Sequence, residues 1–380
     1  MNLLLSAGEA SGDLYGSRLL RALSARVSPL TAFGMGGPRL AAEGLERVAR
    51  SEDLSVMGFS EILGKLPAVF RALSALRRGA AARRPDAAVL IDFPDFHAAL
   101  SRRLQRDGIP LIYYVSPQVW AWRPARARVI AHRARRVLTL FSFEADIYRR
   151  LGGDAIWTGH PIVDEVREGL SSSVPVPERA RPRLVLLPGS RRGEVLRHWP
   201  PMRDAAARLA HKRGVEAFAV RAPGIGEEEY PGAAEAGVGL TSSGIHPLLA
   251  SADVALVASG TATLEAALCG APMVVVYRTS SANLAIAKML VNVPWGISLV
   301  NIVAQERVVP ELLQEEVNPE RLAKETETLL ESSPRREQMK RDLERVAAGL
   351  GPPGASERAA EAVIEAVSGG ARSPARAATR

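Results

Sequence analysis

Short runs of Leu, Val, Ile and Ala recur along the chain, each closed by Gly, Pro or Asp. Each is followed by a longer stretch in which apolar residues return every three or four positions. The first half carries six such runs, at residues 2–7, 30–33, 87–92, 110–115, 137–141 and 155–158. The second half carries five, at 183–187, 215–220, 238–241, 254–258 and 273–277. A strand with one wet face alternates apolar and polar residues. These runs are nearly continuous, which predicts strands covered on both faces, in parallel sheets flanked by helices. The two series predict an α/β chain of two Rossmann-like, doubly wound domains.

Residues 171–182, rich in Ser, Pro and charge, read as a linker. That places a first domain at 1–170 and a second at 183–345. A C-terminal helix is expected over 346–368, packing back on the first domain, and 369–380 reads as a disordered basic tail. A chain of 380 residues has room for two domains. Its 47% apolar and 24% charged content argues against disorder, collagen or coiled coil.

Charge is spread unevenly. Residues 1–180 carry 25 basic and 18 acidic side chains, and residues 181–380 carry 24 and 23. An anionic partner is therefore expected at the first half. Cys269 is the single cysteine, which excludes an internal disulfide or a multi-Cys zinc site and points to a reducing compartment. The first residues lack a basic n-region and their apolar run is short, so no signal peptide is expected. Nor is there a run of the ~20 apolar residues a bilayer span needs. The expectation is a soluble or peripheral protein.

Ligands of open α/β sheets bind beyond the carboxyl ends of the strands, and with two sheets the cleft between them is the default site. After the first run stands Gly8-Glu9-Ala10-Ser11-Gly12-Asp13, a turn that brings backbone N–H groups to a ligand or simply a tight turn with Asp13 near a helix start. It is neither a P-loop nor a dinucleotide fingerprint. After the run at 87–92 stands Asp92-Phe93-Pro94-Asp95-Phe96-His97. A carboxylate walled by Phe93 and Phe96 would have a raised pKa and suit a general base. Asp95 is placed to cap the following helix, which leaves Asp92 as the base; His97 reads as structural.

Aromatics and arginines then cluster from Tyr113 to Arg136, with Ser116, Gln118 and Trp120 among them. Nucleic acid, a phosphate-bearing ligand, an anionic membrane surface or a solvated basic helix would each fit. Phe59, Ile62, Leu63, Leu66, Val69, Phe70, Leu73 and Leu76 keep a helical spacing, either as core or as an apolar face for membrane or acyl chains. In the second half, Pro188-Gly189-Ser190-Arg191 forms a candidate anion turn, with Arg191 adding a charge-assisted contact. Ser259-Gly260-Thr261-Ala262 repeats the pattern, and Glu265, one helical turn later, is placed for both hydroxyls of a ribose. Together these suggest a nucleoside diphosphate donor.

Seven segments carry a family likeness in order: G-E-x-S-G-D at 8–13, V-M-G at 56–58, I-D-x-P-D-F at 91–96, Y-V-S-P-x-V-W-A-W-R at 114–123, G-H-P at 159–161, L-P-G-S-R at 187–191 and A-S-G-T-A at 258–262. Together they resemble the lipid A disaccharide synthases, inverting glycosyltransferases of the two-Rossmann (GT-B) architecture, over roughly residues 1–340. The resemblance implies transfer from UDP-2,3-diacylglucosamine to 2,3-diacylglucosamine 1-phosphate, releasing UDP and forming a β-1′,6 linkage, with no metal and no cofactor. Asp92 would be the base, and Arg191 would hold the diphosphate. Gly189, Ser190, Gly260, Thr261, Ala262 and Glu265 would complete the donor site. Asn301 matches the asparagine of S-L-P-N, with Val300 in place of the proline. Glu9, Ser11, Gly12, Asp13, Ser116, Gln118 and Trp120 would line the cleft. Met57 and the apolar stripe would meet membrane or acyl chains.

The implied setting is the cytoplasmic face of an inner membrane, with an anionic lipid surface rather than nucleic acid as partner. Oligomeric state stays open, a homodimer being one option. The rival enzyme readings are a lipid-linked N-acetylglucosaminyl transferase and a UDP-N-acetylglucosamine 2-epimerase. The rival of another class is a non-catalytic anion- or nucleic-acid-binding protein, which leaves the two nucleotide turns unexplained.

Overall fold

The computed structural model describes residues 1–54, 62–116, 125–279 and 294–369. They form two compact units. One is Met1–Pro161 together with the chain from Gly354 onward, and the other is Ile162–Pro353.

The first unit holds a parallel sheet of β1 (Asn2–Ala7), β2 (Thr31–Gly36), β3 (Glu46–Arg50), β4 (Ala87–Ile91), β5 (Leu111–Tyr114), β6 (Arg136–Thr139) and β7 (Ala155–Trp157), in the order 3-2-1-4-5-6-7. The central strands explain their apolar sequences. Leu3, Leu4, Leu5, Val89, Leu90 and Ile91 are all fully buried, with helices on both faces. The second unit repeats the plan with β8 (Arg183–Leu187), β9 (Glu216–Val220), β10 (Val238–Thr241), β11 (Val254–Ala258), β12 (Met273–Tyr277) and β13 (Glu311–Leu313), in the order 10-9-8-11-12-13. Both are the strand order of the Rossmann fold. In each, the order reverses between the first and fourth strands: β1 beside β4, and β8 beside β11.

The expected domain limits need correction. Helix Ile162–Leu170 belongs to the second unit, because it packs on helices Ile245–Ala250 and Ala262–Leu268. The unit boundary therefore precedes the stretch 171–182. The C-terminal segment is also not one helix from 346. Helix Ser333–Gly349 stays in the second unit, and Pro352 and Pro353 follow its end, where a proline removes a donor and cannot continue a helix. A separate helix, Ala355–Ser368, packs on helix Ala10–Ser24 of the first unit. Arg358 Nε donates to the Thr158 carbonyl at 2.8 Å, and Arg136 Nη1 donates to the Ala362 carbonyl at 3.0 Å.

The apolar stripe divides within helix Ile62–Arg83. Leu73 and Leu76 are buried against Leu4, Phe33 and Met35 in the core of the first unit, and Val69 packs on that core half-buried. Leu73 is thus a core residue and not a lipid contact, because the helix lies on β2 and β3 with that edge inward. Full burial of such a leucine contributes about 1.5–3 kcal/mol. Leu66 and Phe70 point outward, 40% and 60% exposed. Met57 and Phe59 lie outside the described residues, as do the side chains of Ile62 and Leu63. No helix among the described residues is long and apolar enough to cross a membrane.

Candidate active site

The residues singled out at the strand ends gather at the two points where strand order reverses, which is where open α/β sheets bind ligands. In the first unit these are the turns after β1 and β4. Asp92 and Phe93 leave β4 with φ of 52° and 57°, a left-handed conformation that non-glycine residues adopt only when the surroundings hold them there. Three contacts hold them. Asp92 N–H donates to the Tyr114 carbonyl at 3.2 Å. The His97 ring nitrogen Nδ1 bonds the Asp92 carbonyl, while Nε2 lies 2.9 Å from Ser6 Oγ. The Phe93 ring stacks on Phe96 at 5.3 Å and lies across Gly8, where any side chain would overlap it. The first glycine of the turn thus makes room for Phe93.

The Asp92 carboxyl titrates at about 6, raised first by burial and then by the negative charge of Glu9, against a lowering hydrogen bond from the Phe93 backbone. Burial lowers His97 to about 4, so its ring is neutral at pH 7. A neutral imidazole has one donor and one acceptor nitrogen. Nδ1–H therefore serves the Asp92 carbonyl, and Nε2 accepts from Ser6. Asp95 is exposed in the first turn of helix Pro94–Arg106 and pairs with Arg126. It does not cap that helix, whose N-cap is Phe93.

Two expected cleft residues have other work. Asp13 is buried, and its carboxylate accepts from the N–H groups of Gly37 at 2.7 Å, Arg39 at 3.0 Å and Leu40 at 3.1 Å. It anchors the turn after β2 and is not available to a ligand. Gly12 packs helix Ala10–Ser24 on the sheet: a methyl at this position would meet the Ile91 carbonyl and the Ala7 side chain at an ordinary contact distance of 3.4 Å. Glu9 is exposed and Ser11 half-buried beside them. Ser116 is buried, with Oγ 2.6 Å from the Tyr148 hydroxyl, just after Val115 in another left-handed conformation (φ 58°). Gln118 and Trp120 lie outside the described residues.

In the second unit the turns after β8 and β11 stand at the corresponding positions. Gly189 has φ 135°, a region closed to residues with a side chain, and a methyl there would meet Glu194 Cβ at 2.6 Å. The N–H groups of Ser190 and Arg191 donate to Glu194 Oε2 at 3.0 and 3.3 Å. These two amides are engaged by Glu194 and not aimed at solvent, which sequence reading did not anticipate. The Arg191 side chain is 60% exposed, 3.6 Å from Glu194 Oε1. Gly260 has φ 154°, with open space where a side chain would stand, and Thr261-Ala262 opens helix Ala262–Leu268. Glu265 Oε2 is 3.1 Å from His246 Nε2.

Asn301 is not part of this site. Fully buried, it donates to the Val309 carbonyl at 3.0 Å and to Glu311 Oε1 at 2.8 Å, and accepts from the N–H groups of Val308 at 2.8 Å and Val309 at 3.0 Å. Both ends of the amide hold the segment leading into β13. Two further residues escaped sequence reading. Glu311 gathers the N–H groups of Ile297 and Ser298, both at 2.9 Å. Buried His198 joins the Pro188 carbonyl at 2.8 Å to the Arg278 N–H at 2.9 Å, and its pKa is lowered by burial. A lone histidine inside a helical pattern gives no sequence signal for such a tie.

Two Rossmann-ordered sheets in one chain are an architecture shared by two-Rossmann glycosyltransferases and sugar-nucleotide epimerases. Solved structures agree on the fold. A putative UDP-N-acetylglucosamine 2-epimerase from Listeria monocytogenes matches with TM-score 0.65 at 15% identity, over 96% of each chain. The calicheamicin glycosyltransferase CalG4 matches with TM-score 0.63 at 16% identity, over 96% of this chain and 98% of that one. The sequence is more specific. A family profile described as lipid-A-disaccharide synthetase matches residues 3–366. Lipid-A-disaccharide synthase of Myxococcus xanthus (strain DK1622) is 41% identical over 96% of this chain and 97% of its own length. The chain belongs to the lipid-A-disaccharide synthase family, and it is a glycosyltransferase.

Proposed function

We propose that the chain transfers diacylglucosamine from its UDP ester to the 6-hydroxyl of diacylglucosamine 1-phosphate, with inversion to a β-1′,6 linkage and release of UDP. The observation that carries this reading is Asp92: a carboxylate at the reversal point of the first sheet, on a backbone held in place from three sides, with its pKa brought to about 6. Such a group is ionised at neutral pH yet basic enough to take a hydroxyl proton as the oxygen attacks. Inversion requires attack on the anomeric carbon from the side opposite the leaving UDP, so one base and one anion site suffice.

Arg191, with the turns Gly189-Ser190 and Gly260-Thr261-Ala262, is the proposed diphosphate site, and Glu265 the ribose contact. The exposed guanidinium of Arg191 meets the charge that develops on the departing UDP. For that to happen, the diphosphate displaces Glu194 from the amides of Ser190 and Arg191. Glu9 and Ser11, next to Asp92 in the first unit, are proposed to face the acceptor, together with Gln118 and Trp120. Exposed Leu66 and Phe70, on a helix that also carries exposed Arg71, Arg77 and Arg78, are proposed to meet an anionic bilayer on the cytoplasmic face of the inner membrane.

The deciding experiment is UDP release with chemically defined donor and acceptor. Release that needs both acylated sugars supports the reading. Release of UDP from the donor alone, or none with either, overturns it.

A further inference from the structure

We propose that His246 is a positioning residue that turns the Glu265 carboxylate toward the ribose of the donor nucleotide. The proposal rests on the reading of Glu265 as the ribose contact. A carboxylate only accepts hydrogen bonds, so at 3.1 Å from Glu265 Oε2 the His246 Nε2 carries the proton and donates it. That bond engages Oε2 and leaves Oε1 with a second lone pair of Oε2 as acceptors for a pair of vicinal hydroxyls.

Glu265 needs such a guide. It stands in the first turn of helix Ala262–Leu268, where the positive end of the helix dipole attracts a carboxylate. The bond to His246 gives the carboxylate a second, fixed partner. His246 is itself fixed. It is buried in helix Ile245–Ala250, and Gly169 of helix Ile162–Leu170 lies against its Nδ1 edge so closely that any side chain at 169 would overlap the ring. Three helices of the second unit thus pack on one another here, with the His246 ring between the Gly169 backbone and the Glu265 carboxylate.

The test is calorimetric titration of the full chain with UDP and with 2′-deoxy-UDP. The wild type is expected to prefer UDP. His246→Ala is expected to weaken UDP binding by about fivefold to tenfold, the worth of one well-placed hydrogen bond, and to change 2′-deoxy-UDP binding by less than about twofold. His246→Gln, whose amide nitrogen can donate from a similar reach, is expected to recover part of the preference. Gly169→Ala keeps the imidazole but displaces it, and is expected to lose the preference even though alanine is ordinarily favoured over glycine within a helix. An unchanged preference in His246→Ala overturns the proposal, and so does an equal loss for both nucleotides. Glu265→Ala separates the two ideas. If it keeps the preference, the ribose reading itself fails. If it loses the preference while His246→Ala keeps it, only the positioning role fails.

Discussion

His97 Nε2 lies 2.9 Å from Ser6 Oγ, so a ring on the helix after β4 reaches back into β1 and ties the two strands at the point where the sheet reverses. Because burial lowers this histidine to about 4, the folded chain refuses a proton that the unfolded chain accepts at 6.5. The contribution is fully present above pH 6.5 and is lost as the pH falls toward 4, by about 3 kcal/mol for a shift of this size. Urea unfolding at pH 7 and pH 4.5 is expected to show that loss in the wild type. In His97→Asn the fall between the two pH values should shrink by a comparable amount; an undiminished fall would refute the assignment.

Catalysis should carry the signature of Asp92. The base must be ionised, so kcat/KM is expected to fall tenfold per pH unit below about 6 and to level off above it. Removing a neighbouring negative charge lowers a carboxyl pKa, so Glu9→Gln should move the break to lower pH. Asp92→Asn should cut turnover by roughly 10²–10⁴-fold, the usual worth of a general base, while UDP affinity stays unchanged. Steady-state rates across pH 5–8 and a UDP titration check all three, and a break that stays put in Glu9→Gln would count against the local charge argument.

Arg191 and Asn301 were grouped by sequence as donor contacts, and their surroundings now predict opposite behaviour. Arg191→Ala should weaken UDP binding by roughly 10–100-fold, as expected for a charge-assisted contact, with no change in melting temperature. Asn301→Ala strands two buried N–H groups and a carbonyl, and should destabilise the chain by roughly 3–5 kcal/mol while the protein that remains folded binds UDP normally. Calorimetry and thermal melts on both variants give the answer; a large affinity loss in a well-folded Asn301→Ala would restore it to the site.

One helix should show two kinds of apolar residue. Leu66→Ser with Phe70→Ser removes exposed surface, so melting temperature should hold while co-sedimentation with phosphatidylglycerol vesicles falls. Leu73→Ser removes core packing and buries a hydroxyl, and should cost roughly 3 kcal/mol or more of stability. Unchanged vesicle binding in the double variant would sink the membrane role of this face.

Interior strands were legible because covering both faces demands unbroken apolar runs: β8, β11 and β12 fall where the pattern places them. Two of the four edge strands were not. β3 reads Glu-Arg-Val-Ala-Arg and is half-exposed, and β13 has three residues, so neither carries the pattern of a buried strand. The reversal-point turns were legible for the same reason as the strands they follow. What sequence could not supply was the partner of each polar group. Asp13 looked like part of a ligand turn until the backbone of Gly37, Arg39 and Leu40, brought in by the fold, took up its carboxylate. Glu194 and His246 carry no motif, and their meaning lies wholly in what they touch.

The helix Ala355–Ser368 lies on helix Ala10–Ser24, with all of residues 162–353 in between. In order of synthesis, the second unit is therefore an insertion. Its residues leave the ribosome as one uninterrupted stretch, whereas the first unit waits for its last helix until the second has been made. The half begun first is the half completed last. A truncation that removes this helix would thus expose the apolar flank of helix Ala10–Ser24 and damage the unit that holds Asp92, although the cut lies far from that residue along the chain.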